Sequence, residues 1–145
     1  MASLGCEIQI QAADSITREQ PVILLNVPEI NNVFYTEVIR GATISANAHG
    51  YYLLITQYAL GKSTLPQFCQ LIKRVDASGV ITLNQLSIDA LQTIQNLVPI
   101  VQCCEFNPDS DFPYVTINDF GAAQYATEHL LSCGRNKVAF INGTF

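Results

Sequence analysis

Short apolar runs alternate with helix-like patterns along most of the chain. The runs occupy residues 22–27, 52–55, 79–83, 100–104, 114–117 and 137–141. Most are hydrophobic at consecutive positions, which is typical of strands whose sheet is covered by helices on both faces. The pattern therefore predicts six strands in a mostly parallel sheet.

The segments between these runs carry apolar residues at intervals of three and four, as amphipathic helices do. Four helices are predicted, and their apolar faces are Tyr35, Val38, Ile39, Ala42 and Ala46; Leu65, Phe68, Ile72 and Val75; Ile88, Leu91 and Ile94; and Ala122, Ala126, Leu130 and Cys133. Ser87 is placed to cap the third helix, and Gly134 to end the fourth. Segment 105–113 is loop-like and joins two strands without a helix. Repeated strand–helix units predict an α/β fold, a three-layer doubly wound sheet.

Composition narrows the class of protein. The chain has 145 residues, 49% hydrophobic and 13% charged, which suits one domain with a substantial core and excludes disorder. Its net charge is −5 and it has no basic run to bind a phosphate backbone.

No apolar run approaches the ~20 residues of a membrane span, and no signal peptide is readable. Five cysteines without a C-x-x-C pair argue against a zinc site or disulfide framework. We expect a cytoplasmic protein without metal or cofactor.

Ligands of such sheets bind in the crevice beyond the carboxyl ends of the strands. The corresponding segments are 28–35, 56–58, 84–86, 104–106 and 118–120. They hold asparagine, glutamine, aromatic residues, two glutamates and one aspartate, which suits a polar ring compound such as a sugar or nucleoside. The chain has no G-x-G-x-x-G after the first strand, no Walker loop and no G-x-S-x-G, so catalysis is not favoured.

Two pairs of residues could still carry chemistry. His49 and His129 fall in predicted helices, away from the strand ends, where a structural role outweighs a catalytic one. Cys103 and Cys104 could be redox-active, although a strand cysteine more often packs as a small hydrophobe.

Phe34 and Tyr35 follow the first strand and raise a different choice. Tyr35 lies on the apolar face of the first helix, which predicts packing. Phe34 lies off that face, at the open end of the strand, where its ring either packs or stacks on a ligand. Chain chemistry alone favours neither reading for Phe34.

Several motifs together carry a family likeness. They are VPEINNVFYTEVIRGA, HGYYLLIT, SGVITL, VPIVQCCEF and ATEHLLSCGRNKVAFING. The chain from residue 22 to about 143 resembles the effector-binding core of LacI/GalR-type (lactose/galactose repressor) bacterial transcription regulators. The stretch CCEF, followed by FPYVTIND, is nearest to the cytidine-responsive repressors.

The resemblance implies a type I periplasmic-binding-protein-like half-clamshell. Residues 1–20 would be a leader with a residual hinge, and residues 21–145 the N-terminal subdomain of the effector-binding core. The DNA-binding domain and the second subdomain would be missing, so that DNA would be bound only through a domain outside this chain. A homodimer is also implied, and we expect the first two helices, near Ile39, Phe68 and Ile72, to form its interface.

The resemblance also implies which residues line the effector cleft. By position they are Phe34, Tyr35, Asn84, Cys104, Glu105 and Asn118. The family's Asp-Asn after the fifth strand is inverted here to Asn118-Asp119, its Asp before the third-strand glycine is Ser78, and its proline before the paired aromatics is Val33. The likeness favours Phe34 as a ligand contact.

These observations predict a non-catalytic, small-molecule-sensing subdomain of a repressor. One alternative is a solute-binding protein of the same fold that serves transport. Another is an enzyme of flavodoxin-like or Rossmann type.

Overall fold

The computed structural model describes residues 20–141, so that the hinge-like leader expected over residues 1–20 lies almost wholly outside it. The described elements are β1 (Val22–Asn26), α1 (Val33–Ala48), β2 (Tyr52–Thr56), α2 (Leu65–Arg74), β3 (Ala77–Thr82), α3 (Ile88–Gln95), β4 (Ile100–Cys103), β5 (Tyr114–Val115) and α4 (Asp119–Ser132). None of these helices is both long and apolar enough to cross a membrane.

The five described strands form one sheet in the order β2-β1-β3-β4-β5, and every neighbouring pair is parallel. This confirms the predicted α/β fold. The order reverses at β1, which separates β2 from β3 and places a topological switch point at its carboxyl end. The connection from β4 to β5 contains no helix, as segment 105–113 predicted.

Each face of the sheet has its own core. On one face Leu24, Val80 and Ile100 pack in a cluster with Phe68 of α2 and Leu91 of α3. On the other face α1 covers a second cluster, built on Leu25, Val27 and Leu83 and completed by the predicted apolar face of α1, namely Tyr35, Val38, Ile39 and Ala42. Continuous strand hydrophobicity arises here because successive residues enter opposite cores.

Two predicted helix ends are confirmed. The Ser87 side chain accepts a hydrogen bond from the Ala90 amide at 3.3 Å and so caps α3. Gly134 has φ +78°, and the amide of Arg135 donates to the Leu130 carbonyl at 3.1 Å. These contacts satisfy the last carbonyls of α4 through the left-handed residue that glycine adopts without strain.

Three predictions are wrong in part. Segment 137–141 is not a strand, because no neighbour within the described residues pairs with its backbone, and Ile141 is 94% exposed. Helix α4 forms as predicted, but no residue on it is buried. The proposed interface residues Phe68 and Ile72 are 0% and 2% exposed, so neither is free to contact a second protomer, whereas Ile39 is half-buried against the core on the other face.

Candidate functional site

A buried asparagine organises the carboxyl ends of the central strands. Asn26 ends β1, is completely buried, and lies in register with Thr56 of β2 and Thr82 of β3. Its Oδ1 accepts from the Thr56 hydroxyl and from the Tyr58 amide, both at 2.9 Å. Its Nδ2 donates to the Tyr58 carbonyl at 3.1 Å and to the Oδ1 of Asn84 at 2.7 Å. Asn26 therefore holds three strand ends in fixed relation through a fully satisfied polar network.

Asn84 belongs to this network. Its side-chain oxygen accepts from Asn26, and its backbone amide donates to the Thr82 hydroxyl at 3.2 Å. Asn84 is half-buried and does not line either of the two clefts described below. Its Oδ1 is already used inside the protein.

Phe34 and Tyr35 are positioned by the start of α1. The Asn32 side chain accepts from the Phe34 amide at 3.0 Å, which caps the helix immediately before the two aromatics. Tyr35 is half-buried against the Leu25–Val27–Leu83 cluster, as the helical pattern predicted, whereas Phe34 is 50% exposed. Their rings meet edge to face with centroids 5.3 Å apart. Tyr35 thus supports the exposed Phe34 ring from the core side.

Cys104 and Glu105 follow β4. Cys104 has φ +66°, an uncommon left-handed conformation for a residue with a side chain. The turn is held by the Cys104 amide donating to the Val115 carbonyl and the Glu105 amide donating to the Cys103 carbonyl, each at 2.8 Å. The chain therefore turns sharply after β4 and places the exposed Glu105 at the carboxyl-end edge of the sheet.

Two neighbouring clefts open at these strand ends. The smaller, of about 270 Å³, is lined by Phe34, Val38, Cys103, Cys104, Glu105, Val115, Thr116, Ile117 and Asp119. The larger, of about 550 Å³, is lined by Cys104, Glu105, Phe106, Tyr114, Thr116, Ile117, Asn118, Asp119 and Phe120. Because Cys104, Glu105 and Asp119 border both, the clefts form one continuous strand-end surface, which we call the strand-end cleft.

Asn118 lies on this surface but also has a structural role. Its Oδ1 accepts from the Gly121 amide at 2.9 Å and caps α4. A Cβ at position 121 would lie 2.6 Å from Asn118 Nδ2, so the glycine allows this close approach. The side-chain nitrogen of Asn118 is the donor that remains to contact a ligand.

The charge of the strand-end cleft is negative. Glu105 and Asp119 line it, and no lysine or arginine is among its lining residues in the described part of the chain. The pKa of the Tyr35 hydroxyl is raised by burial first and then by the nearby Glu105, Cys104 and Glu29. This surface therefore favours neutral or cationic groups over anions.

Nucleophilic or metal chemistry finds little support in this geometry. Burial, the contact with Cys103 and the neighbouring carboxylates together raise the pKa of the Cys104 thiol to about 11, so it stays protonated. His49 is the C-cap of α1 and His129 lies within α4, as the sequence placed them. Among residues 20–141 no three metal-ligating side chains are grouped to hold an ion. The side chains that line the cleft supply hydrogen-bonding groups and aromatic faces.

The structure thus brings four of the six candidate residues together on the strand-end cleft: Phe34, Cys104, Glu105 and Asn118. Tyr35 supports it from below, and Asn84 lies in the adjoining network. Sequence reasoning did not single out Asn26, although a lone polar residue in the run VILLNV is a readable signal. It also missed the stacked pair Phe106 and Tyr114, with ring centroids 4.2 Å apart, since their contact spans an irregular loop.

Comparison with known proteins gives consistent results. The model of the family "Periplasmic binding proteins and sugar binding domain of LacI family" matches residues 20–144. The chain is 34% identical over 127 residues to the HTH-type transcriptional repressor CytR of Escherichia coli (strain K12), covering 86% of this chain and 37% of that protein. The chain therefore spans little more than a third of the length of this curated relative.

Solved structures agree on the fold. The transcription regulator CcpA of Lactococcus lactis superposes with a TM-score of 0.72 at 18% identity, covering 83% of this chain and 45% of that one. A LacI family transcriptional regulator from Mycobacterium smegmatis superposes with a TM-score of 0.68 at 27% identity, covering 84% and 44% respectively.

Proposed function

Since the chain belongs to the family of periplasmic binding proteins and LacI-type sugar-binding domains, we propose that it senses a small molecule for a DNA-binding transcriptional repressor. In this proposal residues 21–145 form the N-terminal subdomain of an effector-binding core. The effector binds in the strand-end cleft, between this subdomain and a second one, and shifts the repressor between states of different DNA affinity. DNA contact is made by a separate helix-turn-helix domain, and the protein acts in the cytoplasm.

The observation that carries this proposal is the meeting of an exposed aromatic ring and a carboxylate in one cleft. Phe34 and Glu105 come from different strand ends and both line the smaller part of the strand-end cleft. An aromatic face stacks on a ring, and a carboxylate accepts hydrogen bonds from hydroxyl or amino groups. This location, beyond the carboxyl ends of parallel strands, is where open α/β sheets bind their ligands.

A neutral polar ring compound, either a nucleoside or a sugar, fits this chemistry best. Glu105 and Asp119 border the cleft without a compensating cation among its described lining residues, so a phosphate group would be repelled. The likeness to CytR, a repressor by name, favours regulation over transport as the role of this binding site. The likeness to CytR also favours a non-catalytic role. The protonated state of the Cys104 thiol agrees with such a role, because a thiol is a weaker nucleophile than a thiolate.

Titration of an effector-binding core that contains this chain and the second subdomain, with a panel of neutral nucleosides and sugars, tests the proposal. Stacking on an aromatic ring contributes about 1–3 kcal/mol, so Phe34→Ala is expected to weaken binding roughly tenfold to a hundredfold. Tyr125→Ala is the matched control, because Tyr125 is 78% exposed on α4 and lies outside the cleft. The proposed site is contradicted if both variants weaken binding equally, or if saturable binding is unaffected by Phe34→Ala.

We also infer a homodimer, formed through the β2 edge rather than through the core residues named from the sequence. Strand β2 lies at one edge of the sheet and exposes Tyr52, Leu54 and Ile55 by 58%, 38% and 38%. An apolar edge strand has unpaired backbone groups and is a ready surface for a second copy.

A further inference from the structure

Two adjacent thiols face the same side of the chain at the end of β4. Successive residues of a strand normally point to opposite faces of the sheet. The left-handed φ of +66° at Cys104 breaks this alternation, so that the Sγ atoms of Cys103 and Cys104 lie 3.7 Å apart. Both residues line the smaller part of the strand-end cleft, beside Phe34 and Val38. The pair is therefore accessible as a unit from one cavity.

Direct oxidation of this pair is unfavourable. Adjacent Cα atoms are about 3.8 Å apart across a trans peptide, whereas disulfides usually join Cα atoms about 4.4–6.8 Å apart. The sulfurs would also have to close from 3.7 Å to a bond of about 2.05 Å. A bond between these sulfurs would therefore strain the turn at Cys104, and strained disulfides are readily reduced.

A single atom that bonds both sulfurs meets no such obstacle. Soft thiolate donors select soft, thiophilic partners. Trivalent arsenic forms two As–S bonds at a narrow angle, which leaves the two sulfurs near van der Waals contact with each other, as they are here. The third substituent of the arsenic atom then has room in the cleft beside the exposed Phe34 ring.

We propose that Cys103 and Cys104 form a dithiol site for trivalent arsenicals of the type R–As(OH)2. In the reaction two As–S bonds form and two As–O bonds break, and each thiol proton leaves with a hydroxide as water. Arsenic stays trivalent and sulfur keeps its oxidation state, so that no oxidant or reductant is needed. The R group occupies the strand-end cleft.

The placement of the other cysteines supports the assignment. The other described cysteines, Cys69 on α2 and Cys133 at the end of α4, lie on different elements, and neither is adjacent to a second cysteine. Among the cysteines that the structure describes, chelation by two thiols is therefore specific to the 103–104 pair. If the proposed function holds, the bound arsenical also competes with the effector, because both occupy the same cleft.

Phenylarsine oxide is the probe for this site, and intact-protein mass spectrometry is the readout. We expect one adduct per chain that survives excess monothiol and is removed by 1,2-ethanedithiol. Cys103→Ala and Cys104→Ala should each abolish it, with Cys103→Ser as a second variant if the alanine variant fails to fold by circular dichroism. The control variant, which changes Cys6, Cys69 and Cys133 to alanine together, should keep it.

Three results would overturn the proposal. They are an adduct that survives the loss of either cysteine of the pair, an adduct lost in the triple variant, and a protein isolated in air with Cys103 joined to Cys104. Adduct formation needs no effector, so absence of effector binding alone would refute the proposed function and leave the dithiol site supported.

Discussion

The Asn26 network can be tested by one isosteric change, Asn26→Asp. The substitution keeps an oxygen at the position that accepts from the Thr56 hydroxyl and the Tyr58 amide. It removes the nitrogen that donates to the Tyr58 carbonyl and to Asn84 Oδ1. It also places a carboxyl group at a completely buried position.

The expected loss of stability follows from these contacts. The Asn84 amide can flip and turn its nitrogen toward the new carboxylate, which restores one of the two lost hydrogen bonds. The Tyr58 carbonyl cannot change and stays opposite a second acceptor. An unsatisfied buried group costs about 1–3 kcal/mol and more when charged, so we expect Asn26→Asp to lower the free energy of unfolding by about 2–4 kcal/mol at neutral pH.

The loss should also depend on pH. Burial raises the pKa of an introduced carboxyl above its unfolded value of about 3.9. The pH-dependent part of the destabilisation is therefore absent well below about pH 4 and grows as the pH rises toward the folded-state pKa. Urea denaturation followed by circular dichroism, at about pH 5 and about pH 7.5, measures this difference between variant and wild type.

The matched control is the same substitution at an exposed cap. Asn32→Asp keeps an oxygen that accepts from the Phe34 amide, and aspartate is an equally good cap. We expect a change within about 0.5 kcal/mol for the control. If Asn26→Asp is no more destabilising than Asn32→Asp at neutral pH, then the Asn26 network does not hold the strand ends as described.

Three further predictions concern residues around the strand-end cleft and the β2 edge. Tyr35→Ala should lower the free energy of unfolding by about 2–4 kcal/mol because Tyr35 packs on the core, and Phe34→Ala should lower it by less than about half of that because its ring is 50% exposed. Equal losses in chemical denaturation would contradict the different placement of the two rings. Iodoacetamide should alkylate Cys104 more slowly than the exposed Cys133 near neutral pH, and the Cys104 rate should keep rising as the pH approaches its pKa of about 11. Peptide mass spectrometry that shows Cys104 reacting faster would refute the raised pKa. Tyr52→Lys should shift the sedimentation equilibrium toward monomer and Tyr125→Lys should not, because only Tyr52 of these two residues lies on the proposed edge interface. A wild-type chain that is monomeric at high concentration would contradict the proposed dimer.

The regular elements were predictable because their patterns are local. Helix α1 shows its buried face through the spacing of Tyr35, Val38, Ile39 and Ala42, and the structure packs that face on the core. Segment 105–113 could be read as a helix-free connection because it is polar and contains prolines. Segment 137–141 has the composition of a strand, yet pairing depends on a neighbour that composition does not reveal.

The candidate site was predictable only as a set of strand ends. The position of Phe34 off the helical face left packing and ligand contact equally open, and the structure leaves its ring 50% exposed. No sequence rule showed that Asn118 caps α4, that Cys104 takes a left-handed conformation, or that Asn84 bonds to Asn26 across 58 residues. These features depend on the register of distant segments. The burial of Phe68, which excluded it from an interface, likewise depends on which face of α2 meets the sheet.

We propose that a neutral polar ring compound binds at the carboxyl ends of the strands, and amide chemical-shift mapping of the isotopically labelled protein is the decisive measurement. The labelled protein is titrated with a nucleoside or sugar that binds it. Binding in the strand-end cleft predicts saturable shifts concentrated at Phe34, Cys104, Glu105 and Asp119, which line that cleft, and much weaker shifts with the corresponding phosphate ester. Saturable shifts confined to the opposite end of the sheet, around His49 and Tyr51, or stronger binding of the phosphate ester, would contradict it.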